Sequence, residues 1–359
     1  MPVGARDAIA LGPPSVLTVW AFDVLREAAA IAPHRAATQA VDREDLVDES
    51  RADRPPLVRL SHFPSRSLLA ECAKGLAPVL LLLDDPFDSI RYARDLSKTG
   101  VVPALRLQTA AVSIYPQFRA HPRLLTLHRL ARIPAFETIK LMLAHLGLEL
   151  SRTELETLLE RRGAPRSKDA DLESSLKAAV PGYARPEDAT DAFSAKEAAM
   201  IGGVLAPMLQ MSVSDKAAPI VWPIEAFLSG DRPDTPASLV AELTGAARIL
   251  YYGPYFNLPA GAWTARMTVG FSEDAKKTPV TVEAYGGTRL LALASMVPEE
   301  KGIYHAVFDF DHDDALQPVE FRVRTERGAI EGRLALGKVE LSLRRGEARQ
   351  DKRTAISSV

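Results

Sequence analysis

Three aspartates crowd one short stretch, Asp84-Asp85-Pro86-Phe87-Asp88, directly after the apolar run Leu80–Leu83. Carboxylates at a strand end can hold magnesium. Aspartate beside proline also makes turns and helix caps, so the stretch reads equally as an Asp85-Pro86 turn with Asp88 capping or solvating the next helix. No second carboxylate cluster accompanies it, and the turn is the preferred reading. His305, Asp309 and Asp311 share one phase of a strand pattern, which fits a solvated face better than a metal site. The histidines are otherwise scattered, and the single cysteine, Cys72, excludes an intrachain disulfide and a multi-cysteine metal cage. No metal and no cofactor is assigned. The patterns Gly-x4-Gly-Lys-Ser/Thr, Gly-x-Gly-x-x-Gly, His-Glu-x-x-His and Gly-x-Ser-x-Gly are all absent.

The elements that must position such residues change character along the chain. Ile9–Pro14 suggests a short strand and loop, Val19–Ala32 a helix, Leu57–Leu60 a short strand, and Pro78–Leu83 a buried strand feeding an amphipathic helix to Leu96. Residues 41–56, charged and ending in two prolines, read as a surface connection. Ile133, Phe136, Ile139, Leu143 and Leu146 follow helical spacing, with Gly147 as the stop. Ser151-Arg-Thr-Glu154 and Ser194-Ala-Lys-Glu197 are capping boxes, and Thr235-Pro236 predicts another helix start. Residues 163–192 predict helix fragments and loops. From about Ala247 the period becomes two: Trp263, Ala265, Met267, Val269 and Phe271 alternate with polar residues, and so do Val319, Phe321 and Val323. Several strands with one dry face each imply an antiparallel sandwich. The expected division is an α/β domain over 1–246, a β-sandwich over 247–344 and a disordered tail over 345–359.

The chain has 359 residues, 47% of them hydrophobic and 25% charged, with a formal net charge of -2. That is the balance of packed domains, and it supplies no global attraction to nucleic acid or anionic membrane. The apolar runs Leu76–Leu83 and Ala198–Leu209 fall short of the ~20 residues a membrane-spanning helix needs, and Pro207 interrupts the second. No signal-peptide core stands at the start. A soluble, cytoplasmic protein without a membrane span is expected.

Several N-terminal segments resemble the sulfotransferases, a family with a modified phosphate-loop core. Pro14-Ser15-Val16-Leu17-Thr18-Val19-Trp20 is similar to the family's donor loop. Arg59-Leu-Ser-His62-Phe-Pro64 is similar to its strand end carrying histidine and proline. Leu80–Asp88 followed by Ser89-Ile90-Arg91-Tyr92 resembles its apolar strand, turn and helix. Leu141–Leu148 looks like its leucine helix, and Arg161-Arg162-Gly163 is similar to its donor-binding turn. The resemblance spans roughly residues 10–165. It implies a helix-rich α/β fold, His62 as the catalytic base, and Ser15, Thr18 and Arg91 as donor-binding residues. The departures are specific: the donor loop's lysine falls on Pro14, its glycine on Val16, and an expected phosphate-binding arginine on Asp84. Each loses a contact to an anionic adenylate, and the last reverses the charge.

Tyr252-Gly-Pro-Tyr255, Asn257-Leu-Pro-Ala-Gly261 and Trp263 resemble the opening of jelly-roll modules in bacterial polysaccharide-related proteins. Aromatic faces suit sugars because they bury C–H groups while hydroxyls stay hydrogen-bonded. The resemblance makes Tyr252, Tyr255 and Tyr285 the sugar-binding candidates, with Tyr255 in a Gly-Pro-flanked turn and Trp263 in the inward set of its strand. The leading reading is a sulfotransferase-like, non-catalytic protein of bacterial surface-polysaccharide synthesis or modification. Its expected partners are a polysaccharide or glycosylated acceptor and polysaccharide-synthesis proteins. An active transferase with an atypical donor site, and a protein–protein interaction module, are the alternatives.

Overall fold

The computed structural model describes residues 7–43, 55–131, 133–162, 171–216, 218–344 and 354–358. Contacts divide the chain into two compact units, Met1–Ser194 and Ala195–Val359. The first is α/β and the second is built on antiparallel sheets, the fold class expected from the residue periodicities.

The α/β unit holds five parallel strands, β1 (Ala8–Leu11), β2 (Ala37–Ala40), β3 (Leu57–Ser61), β4 (Val79–Leu83) and β5 (Leu124–His128). Their order is β2-β3-β1-β4-β5. Around them lie α1 (Val16–Ile31), α2 (Arg66–Ala73), α3 (Pro86–Ser97), α4 (Val101–Val112), α5 (Ala135–Leu146), α6 (Arg152–Arg161), α7 (Leu172–Ala179) and α8 (Pro186–Thr190). Ala8, Ala10, Val58, Leu60, Leu80 and Leu82 pack with α1, α5, α6 and α7 in one core cluster. The alternate residues Ile9, Leu81 and Leu83 are buried as well, so the sheet is covered on both faces. The strand order reverses beside β1, which makes the carboxyl ends of β1, β3 and β4 the crevice where open α/β sheets take ligands.

Local chemistry sets the helix starts. Ser15 caps α1 in extended backbone and accepts from Thr18 N, so the helix begins at Val16, three residues before its apolar period suggests. Asp85 caps α3 with Pro86 in the first turn. The Ser151/Glu154 capping box closes both ways on α6, and Gly147 ends α5 at φ 72. The short strands β2 and β5 and the helices α2 and α4 lie in stretches where no element was predicted.

The second unit opens with α9 (Ala195–Val213), which continues through Pro207. One sheet runs β16 (Thr354–Ser358), β13 (Gly302–His312), β10 (Gly261–Phe271), β15 (Arg333–Leu343), β6 (Ile220–Pro223), with β8 (Val240–Glu242) also on β15. The other runs β12 (Arg289–Met296), β11 (Val280–Gly286), β14 (Pro318–Thr325), β9 (Ile249–Asn257), β7 (Leu228–Ser229). Aromatic rings join the two: Trp222 of β6 meets Phe256 of β9 at 5.7 Å, and Phe308 of β13 meets Phe321 of β14 at 5.9 Å. Trp263 is fully buried, its Nε1 donating to Pro259 O at 3.0 Å.

Three expectations change here. The division falls at Ser194/Ala195 instead of near 247, because β6 and β8 pair with β15 and belong to the sandwich. Thr235-Pro236 starts no helix: Ser229 N donates to Thr235 O and Ala237 N to Phe227 O, folding the segment back beside β7. Within the tail expected to be disordered, Thr354–Ser358 forms the edge strand β16 on β13, while 345–353 lie outside the described residues. Among the described residues no helix is long and apolar enough to cross a membrane.

Candidate functional site

At the carboxyl edge of the parallel sheet the structure gathers Ser15, Thr18, His62 and Asp84. Ser15 Oγ and Thr18 Oγ1 lie 3.1 Å apart and are fully buried. Gly12 is pressed against Thr18, since a Cβ there would sit 2.7 Å from Thr18 Cγ2 and 3.0 Å from Leu82 Cβ. Three helix-start N–H groups are already used: Leu17 N donates to Asp84 Oδ2 at 2.9 Å, Thr18 N to Ser15 Oγ, and Val19 N to Ser15 O. A helix N-terminus attracts anions. Here Asp84, from the end of β4, supplies that anion from within the chain.

Asp84 is held in turn. Its Oδ1 accepts from Asp85 N at 2.8 Å and from Arg129 Nη1 at 3.2 Å. Arg129, just past β5, also donates to Asp88 Oδ2 at 2.7 Å, to both oxygens of Glu173 at 2.8 and 2.9 Å, and to Ala184 O. Burial works against the Arg129 charge, but Glu173, Asp84 and Asp88 outweigh it and keep the guanidinium cationic. Asp88 is fully buried, with Oδ1 lacking any hydrogen-bond partner. Burial and the neighbouring Asp84 push its carboxyl up to about 8 against the pull of Arg129. The expected capping role of Asp88 therefore belongs to Asp85, which accepts from Phe87 N and Asp88 N. With Asp84 and Asp88 both committed to Arg129, the stretch is a buried carboxyl–guanidinium network, and among the described residues no group of His, Cys, Asp or Glu is arranged to hold a metal.

His62 sits at the end of β3. Its ring packs 5.0 Å from Phe22, and Nδ1 lies 3.0 Å from Gly12 O. A carbonyl only accepts, so Nδ1 carries the proton and Nε2 the lone pair. Burial pushes the imidazole below its usual value, against the opposing pull of Asp42. Asp42 orders this corner, one oxygen accepting from Ser61 Oγ, His62 N and Phe63 N. Arg91 is not brought to the loop: it donates to Gly182 O at 2.8 Å. Arg162 is spent on α1, 2.5 Å from Glu27 and 3.9 Å from Asp23, and Gly163 lies outside the described residues. Beside Arg129 a cleft of about 500 Å³ is walled by Asp171, Glu173, Glu187 and Asp188 against Arg129 and Arg185, a surface unsuited to a bisphosphate.

The second gathering is on the outer face of the β9/β14/β11 sheet. Register places Tyr252, Arg322 and Glu283 in one row across it, and Pro254, Glu320 and Tyr285 in the next. Tyr255 lies within β9, not in a turn. It is the extra residue of a bulge, since Pro254 faces Glu320 and Phe256 faces Val319, and its φ is 65. Residues three apart on a regular strand point to opposite faces; the bulge re-aims Tyr255 so that its ring meets Tyr252 at 6.2 Å. Tyr255 donates to Glu320 Oε1 at 3.0 Å, and burial and the Glu320 charge push its hydroxyl up to about 12. Arg322 binds both oxygens of Glu320 at 2.9 and 2.8 Å and lies 4.3 Å over the Tyr285 ring. All three expected tyrosines are half-buried and share this face.

Asp42, Arg129 and Glu320 were not singled out from sequence. Arg129 had a signal, the apolar run Leu124–Leu127, whose end must lie beside that of β4 if it joins the sheet. Asp42 had none beyond its charge.

No protein-family model matches the chain, and no curated protein matches it. Among solved structures, a mouse sulfotransferase complexed with PAP aligns at 16% identity over 54% of this chain and 80% of its own, with a TM-score of 0.37. A carbohydrate-binding module in complex with β-1,4-galactotriose aligns at 7% identity over 34% of this chain and 87% of its own, TM-score 0.25. A third, a carbohydrate-binding module in complex with calcium and xylotriose, aligns at 10% identity over 34% and 98%, TM-score 0.23. At such scores these likenesses decide nothing about chemistry.

Proposed function

We propose that this chain is a glycan-binding protein whose sandwich holds the sugar and whose α/β unit keeps a transferase-like scaffold without a nucleotide donor. The observation that carries the reading is the convergence of Tyr252, Tyr255 and Tyr285 on one sheet face around the Glu320–Arg322 pair. Half-buried rings fixed by hydrogen bonds form a stacking surface already in place, so little side-chain freedom is lost on binding. Its setting, on this reading, is bacterial surface-polysaccharide synthesis or modification, in the cytoplasm.

Affinity electrophoresis in gels containing polysaccharide, run beside thermal melts, tests it. Tyr255→Ala and Tyr285→Ala should lose retention with little change in melting temperature. Trp263→Ala should instead cost ~3–5 kcal/mol of stability by opening a core cavity. Tyrosine variants that bind like the parent would remove the sugar assignment and favour a protein partner for the sandwich.

One observation favours a second reading, an active transferase. His62 is fixed with its lone pair on Nε2 and its pKa lowered, so it is an unprotonated base at neutral pH. The base is in order, but Leu17 N and Thr18 N, at the start of the helix that would face a donor phosphate, are satisfied by Asp84 and Ser15.

A further inference from the structure

The tyrosine face carries opposite charges that are unequally exposed. Glu320 and Glu283 keep 6% and 10% of their side-chain surface, whereas their partners Arg322 and Arg324 keep 33% and 45%. The carboxylates lie beneath and the guanidiniums above. Both oxygens of Glu320 are engaged, by Tyr255 Oη and two N–H groups of Arg322. Glu283 takes Tyr285 Oη at 3.3 Å and Arg324 Nη1 only at 3.5 Å, the outer limit of a hydrogen bond. A guanidinium has five N–H donors, so most of those on Arg324 are left for a ligand. Arg322 lies over the Tyr285 ring, which orients its plane. Glu326, exposed at the far end of β14, is engaged by Thr281 and Ser295.

We infer that the polysaccharide taken by this face is anionic, its carboxylate or sulfate groups bound by Arg324 and Arg322 while the sugar rings lie on the tyrosines. The inference rests on the glycan-binding reading of the same face and adds the substrate class. A planar guanidinium pairs with carboxylate or sulfate oxygens through two parallel N–H bonds. A neutral glycan would offer Arg324 no anion beyond the distant Glu283.

The full-length chain can be run in gels containing matched pairs: polygalacturonate against its fully methyl-esterified form, and dextran sulfate against dextran. Retention should be at least about tenfold weaker on the uncharged member of a pair, and Arg324→Gln should remove that difference at unchanged melting temperature. The two pairs separate carboxylate from sulfate recognition. Equal retention on both members of each pair would overturn the anionic inference and leave glycan binding standing. Retention on none of the four gels would overturn both. Charge-dependent retention unaffected by Arg324→Gln, or matched by poly-glutamate, would also overturn it, since the charge would then be read elsewhere or without the sugar.

Discussion

Asp84 carries the sharpest consequence at the level of single residues. Where the sulfotransferase resemblance expects a phosphate-binding arginine, this chain places a buried carboxylate that accepts from Leu17 N and is locked by Arg129. A donor phosphate would have to displace it, leaving Arg129 short of a partner and two negative groups in one buried corner, a cost of several kcal/mol. Titration with adenosine 3′,5′-bisphosphate should therefore show no saturation below the millimolar range. Low-micromolar binding, which requires ~8 kcal/mol, would mean that the corner rearranges around nucleotide, and the transferase reading would then lead.

Among the elements, β6 decides where the sandwich begins. It supplies Trp222, fully buried against Phe256 and Phe321, and pairs with β15 from Ile220 to Pro223. A fragment beginning at Ala247 leaves that space empty and exposes the edge of β15. Fragment 195–359 should give a dispersed amide spectrum and a cooperative melt, whereas 247–344 should be strongly destabilised or unfolded. Equal stability of the two would show that β6 is an accessory strand. The period-two residues of β10 and β14 were legible, because a buried strand face writes itself as alternation. β6 was not, since a strand of four residues carries too short a pattern to separate from loop.

For the molecule as a whole, the buried network around Arg129 ties folding to pH. Asp88 is raised in the folded state, so between its unfolded value near 4 and its folded value of about 8 the native chain binds more protons than the unfolded one. Its contribution to stability is complete below pH 4 and is lost as pH rises toward 8. Denaturant midpoints measured from pH 5 to 8.5 should fall more steeply for the parent than for Asp88→Asn, in which the neutral state is permanent. Parallel profiles would show that Asp88 is ionised in the native state and that Arg129 offsets its burial.

Order along the chain was enough to establish an α/β part followed by an antiparallel sandwich, the caps at Ser151 and Gly147, and which phase of β10 and β14 faces inward. These depend on neighbours within a few residues, where backbone geometry fixes the spacing of buried positions. Tertiary structure alone decided the sites. Asp84 meets Leu17 across 67 residues and Arg129 meets Asp84 across 45, contacts that exist because the parallel strands β1, β4 and β5 end side by side. The sharing of one face by Tyr252 and Tyr255 needed a bulge whose extra residue is defined only against β14. Local pattern reports whether a side chain is inward or outward; which outward groups meet depends on strand order and register, which pairing across the fold sets.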